Sequence, residues 1–586
     1  MHVVATAGHV DHGKSTLVRA LTGMEPDRLA EERRRGLTIE LGYAWTTLPS
    51  GERLAFVDVP GHERFLGTML AGVGPAPAVM FVVAADEGWM PQSEEHLVAL
   101  EALGVRHALL VVTRADLADP GPAAPAARAR LAAGGLGGAE TLAVSGHTGL
   151  GLDELRRALD RLVAALPEPD PGAPVRLWID RAFTARGSGT VVTGTLPAGT
   201  ITTGDELELA GSPARVRALE CLKEPVTSVS GVARVAVNLR CQGTAERGLA
   251  LVTPGAWTCA DLVDVRLGPA GGPGATDLPA RLTAHIGSAA VACTVRPLGG
   301  RTARLRLARP LPLHVGDVLL LRDPGRARGE VRVIAAASVL DACPPALRRR
   351  GAARERAAAL SGAEPDAASL LRAHRLLRAA DLLAMGCAPA AGPVCGDWHA
   401  DPAYWERLGE RLAETVRRYA AAHPLEPGMP VGAARHDLAL PDRRLVAALV
   451  RPPLVLAAGR IVSGPAGLPA PVARAVERLR AELSAHPFRA PEAGHLAELG
   501  LGTREVAAAV RAGALLRVAD GVVLLPGADV RAAALLARLP QPFTVSQARQ
   551  ALGTSRRVAV PLLELLDRRG LTLRVDEARR RCRPPS

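Results

Sequence analysis

The chain contains no run of about 18 apolar residues, which excludes a membrane-spanning helix. The first apolar strand follows Met1 directly and leaves no room for a signal peptide, so a cytoplasmic location is expected. The 8 cysteines are scattered. Cys387, Cys395 and His399 come nearest to a cluster, and their spacing fits no common zinc pattern, which favours buried or incidental thiols. Lysine is all but missing. Only Lys14 and Lys223 occur, so arginine carries the net charge of +12 and the isoelectric point near 10.1. Such a surplus suits a polyanionic partner, although richness in Ala, Arg, Gly and Pro also looks like genome-wide bias.

One of the two lysines stands where a phosphate would need it. Gly8-His9-Val10-Asp11-His12-Gly13-Lys14-Ser15 follows the apolar run His2–Ala7 and precedes a helical pattern that starts at Thr16. Strand, glycine-rich turn, G-x-x-x-x-G-K-S and helix is the P-loop pattern. Backbone N–H groups converge there on a phosphate, and the helix N-terminus points at the same place. Lys14 would reach the β- and γ-phosphates, and the Ser15 hydroxyl would sit on Mg²⁺.

Further motifs follow in order. Arg35-Gly36-Leu37-Thr38-Ile39 comes after a charged segment and reads as a first switch, in which Thr38 meets both Mg²⁺ and the γ-phosphate. An apolar strand then ends in Asp58-Val59-Pro60-Gly61-His62. Asp58 would lie near the metal and Gly61 near the γ-phosphate, with His62 placed to orient an attacking water. Thr113-Arg114-Ala115-Asp116 closes another strand. Asp116 can accept from guanine N1–H and its exocyclic amine, whereas adenine would leave the carboxylate unpaired. Ser145 ends the last strand, in a loop expected to touch the base. Strands alternating with helices over residues 1–170 imply a doubly wound parallel sheet.

The spellings GHVDHGKST, RGLTI and DVPGH resemble the translational GTPases of the elongation factor Tu class. The resemblance implies GTP and GDP as ligands, with His62 aligning the hydrolytic water and Val10 and Leu37 forming an apolar gate around it. Threonine at the head of the base-recognition motif is familiar in the selenocysteine branch. Arg114 replaces a lysine whose stem normally packs over the base, and a guanidinium plane could stack there.

After the Pro-rich linker at Pro167 the pattern turns to short strands, which suggests β-barrels at 171–259 and 260–345. IDRAFTARGSGTVVTGTLPAG resembles the second domain of the same factors. In that class the aminoacyl end of tRNA lies between the nucleotide domain and domain 2, which makes Arg181, Arg186 and Arg240 candidates for reading the amino acid. The remaining stretch is not low-complexity. Residues 403–466, 467–526 and 527–586 each repeat helix, turn, helix and strand pair, the winged-helix plan, and 346–402 reads as a degenerate copy. The last copy is the most basic. Arg549, Arg556 and Arg557 lie at or near its recognition helix, Arg574 on the strand into the wing and Arg579–Arg581 on the return strand. Arginines so placed grip phosphate and exposed bases.

The expected fold is therefore multidomain: an α/β P-loop GTPase domain, two β-barrel domains, then tandem winged-helix (α+β) domains. As a whole the chain resembles the selenocysteine-specific elongation factors of the SelB type. That implies a monomeric GTPase that brings selenocysteinyl-tRNA to a ribosome at UGA while its tail holds an mRNA hairpin, with no membrane partner. Other readings are a general tRNA carrier, the GTPase subunit of ATP sulfurylase, a nucleic-acid-binding regulator with a nucleotide switch, and an mRNA tether with a dead nucleotide site.

Overall fold

Apolar strands flanked by amphipathic helices form the front of the chain in the computed structural model, which describes residues 1–26, 32, 38–185, 189–268, 272–326, 332–362, 364, 366–463 and 468–583. The elements run β1 (His2–Ala7), α1 (Lys14–Thr22), β2 (Gly42–Thr47), β3 (Arg53–Asp58), α2 (Leu66–Val73), β4 (Ala78–Ala84), α3 (Pro91–Ala102), β5 (His107–Thr113), α4 (Ala123–Ala133), β6 (Glu140–Ala143) and α5 (Leu152–Ala164). The sheet order is β2-β3-β1-β4-β5-β6, parallel throughout except for β2, which runs antiparallel to β3. β4 is buried at every position because helices cover both sheet faces, which is why it reads as a continuous apolar run. α5 buries Leu152, Leu155, Leu159 and Leu162 on one stripe, with Asp153 and Glu154 in its first turn and Arg161 in its last, each charge favourable to the helix dipole. β2 escapes notice in the sequence because it is short and sits at the sheet edge.

The second domain is an antiparallel sheet with a path from Arg176–Trp178 to Arg181–Ala185, plus the ribbon Thr200–Thr202/Ser228–Ser230, around its own apolar core. Six strands between Thr258 and Asp341 then close into a barrel. Alternating buried and exposed residues along Ala289–Gly299 show the period of two that puts one face inside. Helices Ala352–Leu360 and Ala367–His374 are pinned to this barrel by buried charges. Asp264 pairs with Arg304 at 2.6 Å and with Arg356 at 2.7 Å, and Asp341 with Arg356 at 2.5 Å and His374 at 2.8 Å. Ala367, Leu370, Leu382 and Met385 enter the barrel's own core, so residues 352–385 pack as an annex to it.

The chain divides into two compact units, one ending near Pro393 and the other comprising essentially Ala400–Ser586. In the second unit, helices Pro402–Ala422, Val431–Asp437 and Arg443–Leu449 precede a three-stranded sheet. Helices Ala470–Ala485, Ala493–Glu498 and Thr503–Arg511 precede the pair Leu516–Ala519/Val522–Leu524. Ala528–Leu536, Val545–Ala551 and Arg556–Arg568 precede Thr572–Arg574 and Arg579–Cys582. The last two repeats share one continuous core from Val472 to Leu566.

Candidate functional site

At the carboxyl end of β1 the backbone passes so close to β4 that a Cβ on Gly8 would lie 2.1 Å from the Val82 carbonyl oxygen, and Gly8 has φ +127°, so only glycine fits. Asp11, with φ 62°, turns the loop before α1 begins. The Lys14 ammonium is buried and donates to the carbonyls of Gly8 (3.1 Å) and His9 (2.6 Å). Gly61 abuts the same loop, since a Cβ there would fall 2.5 Å from Lys14 Nζ and from Val10 N. The D-x-x-G turn and the P-loop thus meet at the lysine head.

Three oxygens converge beside it. Ser15 Oγ donates to Asp58 Oδ2 at 2.6 Å and lies 3.0 Å from Thr38 Oγ1. The other Asp58 oxygen accepts from Thr6 Oγ1 at 2.8 Å, and that hydroxyl accepts from Val59 N at 3.0 Å. Burial pushes the Asp58 carboxyl above its usual range, against the hydrogen bond from Ser15, the Lys14 charge and the bond from Thr6. One carboxylate and two hydroxyls form a hard oxygen set, which fits Mg²⁺ sharing its remaining positions with phosphate and water. Glu32 Oε1 accepts from Ile39 N (3.0 Å) and Glu40 N (2.9 Å), fixing the backbone just after Thr38. Leu37 lies outside the described residues.

His62 caps the short turn Glu63–Phe65, its Nδ1 accepting from Arg64 N at 3.2 Å. Its Nε2 therefore carries the proton in the neutral ring. At the base end, Thr113 Oγ1 donates to His12 O at 2.7 Å, and Ser145 Oγ accepts from the backbones of His147 and Thr148. Asp116 is exposed where β5 ends. The Arg114 guanidinium is held by Asp86 (2.7 Å), Glu87 (2.8 Å) and the Asp11 carbonyl. This arginine braces the P-loop, a role beyond the stacking expected of it.

Sequence reasoning missed four supports: Thr6, Glu32, Gln92 and His96. Gly8 N donates to His96 Nδ1 at 3.0 Å and Val10 N to Gln92 Oε1 at 3.1 Å. Gln92 and His96 are four residues apart, on one face of α3. Burial pushes His96 down to about 3, keeping the neutral ring that can accept. A lone hydroxyl in an apolar strand and a polar i,i+4 pair on a helix are the signals that could have found them.

A cavity of about 200 Å³ lies between β2 and the second domain, lined among others by Tyr43, Trp45, Arg181, Phe183, Lys223 and Arg234. Arg181 Nη2 donates to Leu41 O at 2.8 Å and pairs with Glu40 at 3.1 Å. Arg234 is paired with Asp180 and lies 3.8 Å over the Tyr43 ring. Arg240 does not reach the cavity: it is exposed and stands in register opposite Arg215. Arg234 and Arg240 share a face of one strand, but six residues separate them by about 20 Å. Arg186 lies outside the described residues.

In the second unit Arg549 is half-buried and Arg556 is exposed in the first turn of Arg556–Arg568. Arg557, expected to meet nucleic acid, is exposed but is also engaged within the protein. Its guanidinium donates to Ala490 O and Pro491 O at 2.9 Å and to Gly521 O at 3.2 Å, which ties the last repeat to the one before it. Arg574 folds back on the wing turn, donating to the Asp576 and Glu577 carbonyls, and Arg580 is buried against Asp567 at 2.8 Å.

Residues 1–165 match the elongation factor Tu GTP binding domain family, and residues 534–581 match the winged helix of elongation factor SelB. The selenocysteine-specific elongation factor of Escherichia coli is 40% identical over 337 residues, covering 55% of this chain and 53% of that protein. The factor of the same description from Desulfomicrobium baculatum is 37% identical over 337 residues, with the same coverage. The chain thus spans about half the length of these relatives. A crystal structure of a bacterial selenocysteine-specific elongation factor, EF-Sec, is 24% identical and superposes with a TM-score of 0.72, each chain covered completely, a likeness of fold. With an elongation factor Tu-type nucleotide domain at its front and a SelB-type winged helix in its tail, the chain is similar to the selenocysteine-specific elongation factors at both ends.

Proposed function

We propose that the chain hydrolyses GTP, carries selenocysteinyl-tRNA to the ribosome at UGA codons and binds an mRNA hairpin through its last winged helix. The observation that carries this reading is one short segment. Thr38 closes the oxygen triad with Ser15 and Asp58, and Glu40 and Leu41, two and three residues on, hold Arg181 at the cavity. A γ-phosphate that orders Thr38 therefore acts on the wall of the cavity.

Lys14 and the loop N–H groups would bind the phosphates, and Ser15, Thr38 and Asp58 would hold Mg²⁺, which when bound neutralises phosphate charge. His62, its ring fixed by Arg64 N, would orient the attacking water. Asp116 would accept from guanine. In the cavity, Arg181 and Arg234 favour an anion. A selenol is ionised at neutral pH and a serine hydroxyl is not, so seryl-tRNA would bring no charge to these cations. In the tail, Arg556 lies at the positive end of its helix, where an incoming phosphate relieves the repulsion.

The test is binding of the purified full chain to selenocysteinyl- and seryl-tRNA, with GTP and with GDP. Tight binding is expected for selenocysteinyl-tRNA with GTP alone. Equal affinity for the two tRNAs would refute the cargo assignment, and a tail that ignores folded mRNA would refute the tether.

A further inference from the structure

The two arginines of the cavity have counter-ions of different kinds. Asp180, paired with Arg234, is buried and is also fixed by Thr193 Oγ1 at 2.8 Å. Its side chain is 6% exposed, so it has nowhere to go. Glu40, paired with Arg181, is 48% exposed, and Arg181 is its carboxylate's single ion pair among the described residues. Its backbone N–H, by contrast, is held by Glu32. The chain is fixed at this position while the carboxylate is free to exchange a cation for water.

We infer that Glu40 is a displaceable counter-ion built into the cavity, a specificity-determining residue that competes with the cargo's anion for Arg181. This rests on the cavity being the cargo site. In the cargo-free protein Glu40 neutralises Arg181, so this arginine is not open to stray anions. A cargo that brings a negative charge takes Arg181, and Glu40 turns to water at the small cost of breaking a half-exposed pair. A neutral cargo of the same size offers Arg181 nothing in exchange and leaves Glu40 where it is. Glu40 therefore lowers the affinity for anionic cargo a little and leaves neutral cargo unaffected.

Removing the charge should expose the competition. Binding of selenocysteinyl-tRNA and seryl-tRNA to the full chain is measured with a non-hydrolysable GTP analogue, for the wild type, Glu40→Gln, Arg181→Ala and the double variant. Glu40→Gln should bind selenocysteinyl-tRNA about threefold to fivefold more tightly, the size of an exposed ion pair, and seryl-tRNA within about twofold of wild type. That gain should vanish in the Arg181→Ala background. Unchanged or weaker binding of selenocysteinyl-tRNA by Glu40→Gln would overturn the inference, because Glu40 would then be idle or would position Arg181 instead of competing for it. If Arg181→Ala removes the preference for selenocysteinyl-tRNA while Glu40→Gln fails to tighten it, only the counter-ion falls. If Arg181→Ala leaves the preference intact, the cargo reading of the cavity falls with it.

Discussion

Lys14 and Arg556 are both proposed to meet phosphate, and the molecule treats them in opposite ways. Lys14 is 5% exposed, and two loop carbonyls already hold its ammonium in position. Arg556 is exposed, and no hydrogen bond or ion pair among the described residues holds it. The first belongs to a preorganised site, in which the lysine and the Ser15, Thr38 and Asp58 oxygens are held before the ligand arrives, and such sites suit chemistry. The second is a cation left in water, which suits association with a charged polymer. Substitutions at the front should therefore change rates and folding, and substitutions at the tail should change affinity.

His62→Ala should give the largest effect. It removes the group proposed to orient the attacking water, so ribosome-stimulated turnover should fall about 10²- to 10⁴-fold, with nucleotide affinity held near wild type. Multiple-turnover phosphate release checks it, and turnover within a few-fold of wild type would remove His62 from catalysis. His96→Leu should come next. It leaves the buried Gly8 N–H without an acceptor, at a cost of about 1–3 kcal/mol, read as lower stability to urea and weaker GTP binding together.

The two units should also answer pH differently. Burial pushes His12 and His285 down to about 4 and His96 to about 3. The unfolded chain takes up a proton at each near pH 6.5, and the folded chain does so only at the lower values. Between them the unfolded state holds more protons, so acidification destabilises the front unit by about 1.4 kcal/mol per pH unit for each histidine at most. In the tail, hydrogen bonds to the Glu482 and Glu498 carboxylates raise His495, whose contribution is present below pH 6.5 and lost as pH rises through the raised value. Hydrogen exchange from pH 7.5 to 5 resolves the two units, and a flat front-unit response would mean that the buried histidines are hydrated.

What was legible in the sequence was what lies close together along it. The P-loop is contiguous, and its neighbours in space, Thr38, Asp58 and Thr113, sit in short motifs of their own, so spelling alone assembled most of the nucleotide site. Contacts across the sheet were not legible: Thr6 supports Asp58 from 52 residues away and His96 supports Gly8 from 88. The cavity shows the limit most plainly. Sequence reasoning singles out Arg240 and passes over Arg234, six residues earlier on the same strand, because seeing which of them faces the cavity takes the strand register and the position of β2, an edge strand with little pattern of its own. The bracing of Arg557 is hidden for a related reason, since its partners belong to the preceding repeat and nothing local marks them.

Arg556 and Arg557 are adjacent, and they give the smallest but sharpest test of the comparison. Arg556→Ala should weaken hairpin binding about tenfold, roughly 1.4 kcal/mol, and reduce the salt dependence of binding by about one phosphate contact, with GTP affinity unchanged. Arg557→Ala should behave as a structural change. It frees three carbonyls of the preceding repeat, so the tail's stability to urea should fall by about 1–2 kcal/mol, with the salt slope of hairpin binding unaltered. The contrast depends on both readouts. If Arg557→Ala lowers the salt slope and leaves stability intact, its hydrogen bonds to the preceding repeat are exchanged for phosphate on binding, and the division between a braced arginine and a waiting one does not hold even between neighbours.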